Sequence, residues 1–72
     1  MYEYLPIEEQ LYSPDVGNYL SYGICVKDEG GNTLAVLSDI STDKQLVIDL
    51  ALRCANGQLA PEHLMDVVLN SI

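Results

Sequence analysis

The chain has 72 residues, enough for one domain and too few for a second, and a domain of this size buries only about 60% of the surface its unfolded chain exposes. Hydrophobic residues make up 49% of it, which excludes a disordered tail. Eleven acidic residues against three basic ones give a formal charge of −8, which excludes binding through nucleic-acid phosphates, because that affinity comes from Lys and Arg releasing counterions.

The N-terminal stretch YEYLPIEEQLY alternates loosely, with Tyr and Leu on one side and Glu on the other, and predicts an edge strand that Pro6 interrupts. SPDVGN, 13–18, is dense in turn formers: Pro14 suits the second turn position, and Gly17 is free to take a positive φ. A second strand follows over 19–27, with Leu20, Tyr22, Ile24 and Val26 toward the core and Tyr19, Ser21, Gly23, Cys25 and Lys27 away from it. DEGGN, 28–32, is a hairpin loop whose two glycines can supply left-handed positions. The third strand, TLAVLSDI, sets Leu34, Val36 and Ser38 against Ala35, Leu37 and Asp39. Its early residues are apolar on both faces, which suits a central strand or one partly covered by a neighbour. The core is aliphatic, since the chain has no Trp or Phe, and Tyr2, Tyr4, Tyr12 and Tyr19 are expected to dress one end of the sheet.

SDISTDKQLVIDLALRCANG, 38–57, hands the chain from strand to helix. Thr42 and Gln45 have capping-box spacing, and Asp43 falls in the first turn, where the helix dipole favours a carboxylate. Apolar residues recur at Val47, Leu50, Ala51 and Cys54 and again at Ile48, Leu52 and Ala55, with Leu46 alongside, a face wider than one stripe. Asn56-Gly57 ends the helix, with Gly57 expected to be left-handed. Pro61 opens the second helix, whose apolar face is Leu64, Met65, Val68, Leu69 and Ile72. The expected fold is α+β, a single domain over 1–72: a three-stranded antiparallel β-meander followed by a C-terminal αα-hairpin packed on one face.

Candidate chemistry is sparse. A phosphate cradle at 38–43 lacks glycine, and Asp39 and Asp43 already place negative charge where the anion would sit, so capping accounts for these residues better. A metal reading joins His63 to Asp39 and Asp43, or to Glu62 and Asp66 on the first turns of the second helix, where His63 and Asp66 share one face and could hold an ion. Zinc needs three or four ligands, however, and the chain has a single His. Neither cysteine has a nucleophile's setting: Cys25 and Cys54, with apolar neighbours, read as small core residues. No catalytic residue, metal or cofactor is expected. No signal peptide or membrane-length apolar run is visible, and with two cysteines the expectation is a soluble, reduced, cytoplasmic protein.

The strand motif YGICV and the segment DISTDKQLVIDLALRCANGQLAPEHLMDVV resemble a family of small uncharacterised proteins from Firmicutes. That family shows a Tyr-Gly-Ile strand, an Ile-Ser/Thr-x-Asp/Ser-Lys helix start and an Asn-x-x-x-x-Pro-x-His-Leu-x-Asp-Val turn into a final helix. The resemblance covers about the last fifty residues. It implies a bacterial cytoplasmic protein without assigned activity, supplies no catalytic residues, and groups Tyr22, Gly23, Asp39, Thr42, Lys44, Pro61, His63 and Asp66. His63, Asp39, Asp66 and Tyr22 are therefore the positions at which a site is sought.

Partner binding has the stronger physical support, because the two helices carry more apolar surface than one three-stranded sheet covers. Leu46, Ile48, Leu52, Met65 and Leu69 are the candidate interaction surface. The expected function is protein contact, most simply a homodimer, without catalysis. Two alternatives stand beside it: an acidic mimic that inhibits a basic nucleic-acid-binding protein, and a small ligand-binding or enzymatic domain centred on His63.

Overall fold

The computed structural model describes residues 1–71, so the expected place of Ile72 on the second helix lies outside the described residues. Its elements are β1 (Glu3–Ser13), β2 (Gly17–Lys27), β3 (Thr33–Ser41), α1 (Lys44–Asn56), a 3-10 turn (Pro61–His63) and α2 (Leu64–Ser71). The strands form one antiparallel sheet in the order β1-β2-β3, so the fold is α+β: a meander followed by two C-terminal helices.

Pro6 does not interrupt β1, which runs unbroken for 11 residues with Pro6 opposite Ile24. An edge strand tolerates proline because half of its N–H groups point away from the sheet and need no strand partner. Of the two places expected for the third strand, the central one is corrected, and the strand is partly covered instead, with Ala35 and Leu37 packed against the core. β2 is central and β3 is the second edge, with Val36 on its outer side more than half exposed. Leu11 pairs with Tyr19 and Ser13 with Gly17, so the first turn holds only Pro14, Asp15 and Val16, and Gly17 takes φ +79°. A three-residue turn closed by a left-handed residue matches the right-handed twist of its strands. The tyrosines do not share one end: Tyr4 lies opposite Val26, and Tyr12 opposite Asn18 near the far tip.

The buried cluster joins Tyr4, Ile24 and Val26 of the sheet and Ile40 at the end of β3 to Val47, Leu50, Ala51 and Cys54 of α1 and Leu64 and Val68 of α2. Tyr22, Ala35 and Leu37 pack against it. Tyr4, Tyr22, Ile24, Val26, Ala35 and Leu37 occupy one alternation of the paired strands, hence one face of the sheet. The expected core face of β2 therefore stands at Ile24 and Val26. It fails at Leu20, which is half exposed because β2 runs on beyond the helices. Cys54 is in the core as expected; Cys25 is not, and sits half-buried between Leu5 and Val36 on the opposite alternation.

The helix boundaries shift by one residue at each end of α1. Asp43, not Thr42, is the N-cap: its Oδ1 accepts from the N–H groups of Gln45 at 3.1 Å and Leu46 at 3.3 Å. A carboxylate outcompetes a hydroxyl for this place because it also meets the positive end of the helix dipole. The Gln45 side chain is free to donate to Asp49 instead. At the other end Gly57 is right-handed and Gln58 takes φ +47°. The Leu59 N–H then donates to the Cys54 carbonyl and the Gln58 N–H to that of Ala55, the paired bonds of a Schellman ending. Gln58 holds this strained position with its own side chain, which donates to the Ala55 carbonyl and accepts from the Tyr2 N–H. Pro61 opens the 3-10 turn rather than α2 itself.

Candidate functional site

The most organised polar cluster in the molecule forms where β3 leaves its register. Leu37 pairs with Ile24 and Ser41 with Tyr22, so Ser38, Asp39 and Ile40 all lie against the single residue Gly23. Asp39 takes φ +54° to make this arch, a left-handed conformation that costs a non-glycine residue about 1 kcal/mol or more. The arch crosses so close over Gly23 that a Cβ there would stand under 3.0 Å from the Leu37 carbonyl oxygen. Only glycine fits.

Hydrogen bonds from both neighbouring strands hold the arch down. Glu9 of β1 accepts from the Asp39 N–H at 3.0 Å and from the Ser38 hydroxyl. Asp39 in turn accepts from the Ser21 hydroxyl at 2.6 Å and from the Tyr19 hydroxyl at 3.1 Å, and the bond to Asp39 raises the Tyr19 phenol above its ordinary value. Ser21 is fully buried beneath them and is satisfied, reaching the Ser41 carbonyl as well. Each carboxylate oxygen already accepts a bond, so the cluster is a closed clasp that fastens β3 across β1 and β2.

The four positions singled out from sequence do not converge. Asp39 belongs to the clasp, and its side-chain partners come from β2. His63 is exposed in the 3-10 turn, where its backbone N–H donates to Ala60, and Asp66 is exposed on α2. Tyr22 is half-buried against the core. Among the described residues no group of three or more His, Cys, Asp or Glu side chains is arranged to hold a metal ion. The Cys54 thiol lines a groove of about 170 Å³ between the helices with Leu50, Leu59 and Val67, and burial pushes it up from its ordinary value, away from the thiolate a nucleophile needs. Glu9, Tyr19, Ser21 and Ser38 were not among the sequence candidates. The available signal was a serine and a glycine at alternate positions of an otherwise apolar strand.

Of the expected interaction surface, Leu52, Met65 and Leu69 are more than half exposed, while Leu46 and Ile48 are half-buried. Leu46 packs against the core, and Ile48 lines a notch with Pro6, Ile7, Glu8, Tyr22 and Lys44. Sequence reasoning missed a second uncovered surface. β3 pairs with β2 no farther than Tyr22, so residues 9–13 and 17–21 continue as a two-stranded arm. On the arm Tyr12 is 71%, Val16 70% and Leu20 50% exposed. Among the described residues no helix is long and apolar enough to cross a membrane.

No curated protein and no solved structure matches the chain. One family does, along the whole length and not only the last fifty residues: the chain belongs to the family of unknown function DUF6514, whose model matches residues 1–72.

Proposed function

We propose that the protein works by contact with another protein rather than by catalysis, and that its partner is a second copy of itself in the cytoplasm. The observation that carries this reading is the arm, a ribbon that puts Tyr12, Val16 and Leu20 in water beyond the reach of β3 and the helices. An isolated two-stranded ribbon is marginal in water, and a small domain gains the core it lacks by association. In this reading α1 and α2 act as an αα-hairpin layer over one sheet face, and the uncovered remainder of that face is the contact surface. The exposed Leu52, Met65 and Leu69 enlarge the apolar area available to a partner.

Sedimentation equilibrium between 1 and 200 μM tests the reading: a reversible dimer is expected within that range, as suits a contact near the low end of specific interface sizes. A monomer throughout is the result that would end it.

A further inference from the structure

The geometry points to one way for two copies to dock: arm against arm about a twofold axis, each arm tip seated in the notch at the root of the other. This rests on the reading just proposed, and it names the surface and the register.

The face of the arm that continues the helix-covered side of the sheet carries Gln10, Tyr12, Asn18 and Leu20, paired as Gln10 with Leu20 and Tyr12 with Asn18. The four form a checkerboard of two large apolar side chains and two amides, with no charge, in a chain of net charge −8. At these four positions two copies meet without stacking carboxylates, and the nearest carboxylate on the same face, Glu8, lies in the notch with Lys44. Let the twofold axis lie between the ribbons, at right angles to the strands, over the Leu11–Tyr19 pair. Tyr12 then faces Gln10 of the other copy and Leu20 faces its Asn18. Each large side chain meets a shorter one, and the two Tyr12 and two Leu20 close into one apolar group.

The same rotation sets the ends. Position 7 lies four residues before the axis, about 13 Å along the strand, and the 14–16 turn closes the arm just past Ser13, two residues beyond it. The tip of one arm therefore falls over the notch of the other, which Pro6, Ile7, Glu8, Tyr22 and Ile48 line and Lys44 borders. Val16 at the tip supplies an exposed apolar side chain for the notch, and Asp15 a carboxylate for Lys44. Neither Asp15 nor Lys44 is in an ion pair among the described residues. Lys44 also stands in the first turn of α1, against the helix dipole, so its charge has no favourable role within its own helix. Packed sheets lie about 10 Å apart, close to the diameter of a helix, so the partner's arm lies level with α1 and fills the step where the helix layer stops. Because the contact is isologous, tip and notch are used twice.

Four proteins test this by sedimentation equilibrium: wild type, Asp15→Lys, Lys44→Asp and the double variant. Asp15→Lys changes the net charge from −8 to −6, which by general repulsion alone would strengthen association. The docking register requires the opposite: both single variants weaken the dimer at least about fivefold, since two symmetry-related pairs turn repulsive at once, and the double variant returns to the wild-type constant. A second arm checks the apolar group, with Tyr12→Ser expected to abolish the dimer while the far-UV CD spectrum is unchanged. If wild type and all three charge variants dimerise equally, or Asp15→Lys dimerises more tightly, the register is wrong and the contact reading survives. Single variants that weaken without rescue in the double also overturn the register. A wild type that stays monomeric overturns both.

Discussion

Gly23→Ala is expected to be among the most damaging single substitutions in the chain. The added Cβ meets the Leu37 carbonyl oxygen inside van der Waals contact, with Ser38 Cα and Glu9 Oε1 both 3.2 Å away. The closest obstacle is backbone, so β3 must retreat by about 1 Å to restore ordinary separation. The Asp39 N–H bond to Glu9 is 3.0 Å long, and a retreat of that size breaks it. Overpacking of this kind costs about 1–3 kcal/mol, and a lost hydrogen bond to a carboxylate about 1.5–3 kcal/mol. Partial relaxation trims their sum, and about 3 kcal/mol is expected. At roughly 0.05–0.15 kcal/mol per residue the whole domain has only about 4–11 kcal/mol of stability, so the loss is a large part of it. In a domain this size it lowers Tm by about 12–24 °C. Urea unfolding followed by far-UV CD reads the effect. Gly57→Ala is the control: Gly57 has φ −86°, and its nearest neighbour is Arg53 O at 3.5 Å. That change should be neutral or stabilise by up to about 1 kcal/mol. A Gly23→Ala protein within about 0.5 kcal/mol of wild type would refute the clasp as described.

Two further expectations concern the start of α1 and the second hairpin. Asp43→Ala should cost about 1 kcal/mol in urea unfolding and Thr42→Ala less than about 0.5 kcal/mol; the reverse order would return the cap to Thr42. Asp28 accepts from the Asn32 backbone N–H, the largest cause, from the Asn32 side chain and from the Gly30 N–H, and these hold its carboxyl below the ordinary value. A carboxyl depressed on folding gives stability that is present above its unfolded pKa and is lost as pH falls through the folded one. Stability should therefore decline on acidification below about pH 4 more steeply in wild type than in Asp28→Asn, and parallel pH profiles would show that the loop contributes nothing to acid sensitivity.

The parts of the fold that sequence discloses are those governed by local periodicity. Val47, Leu50, Ala51 and Cys54 repeat at helical spacing and are all buried, and Ile24 and Val26 alternate as a core strand should. The misses arise where a distant group decides the outcome. Pro6 breaks a strand in isolation, but an edge position leaves its missing donor without consequence. Thr42 and Asp43 both qualify as caps by composition, and the charge on Asp43 selects between them. Gly57 has the conformational freedom to end α1, yet Gln58 takes the left-handed position because its side chain finds partners at Ala55 and, 56 residues away, at Tyr2. The clasp was the least legible feature. Glu9, Ser21 and Asp39 are separated along the chain and meet only through strand pairing, and the register shift that brings Asp39 over Gly23 has no local signature.

The uncovered arm follows from element lengths alone. A helix of 13 residues spans about 20 Å, whereas strands of 11 residues span about 36 Å, so α1 leaves about 16 Å of the β1–β2 hairpin beyond its reach. That is about five residue pairs, which matches the stretch from Glu9–Ser21 to Ser13–Gly17 that β3 does not pair with and touches only through the clasp at its root. A ribbon this long, left to solvent for no purpose, would be expected to carry charge on both faces to keep other chains away. The two faces of this arm differ instead. One bears Glu9 and Tyr19, tied to the Ser38–Asp39 arch by the clasp. The other bears uncharged Gln10, Tyr12, Asn18 and Leu20. Fixing one face of a ribbon at its root reduces the freedom that binding would otherwise remove from the other, which lowers the entropic cost of contact. In the dimer proposed above, the strained φ of Asp39 and the crowding over Gly23 therefore gain a role beyond local packing: they fix the root of the arm that docks.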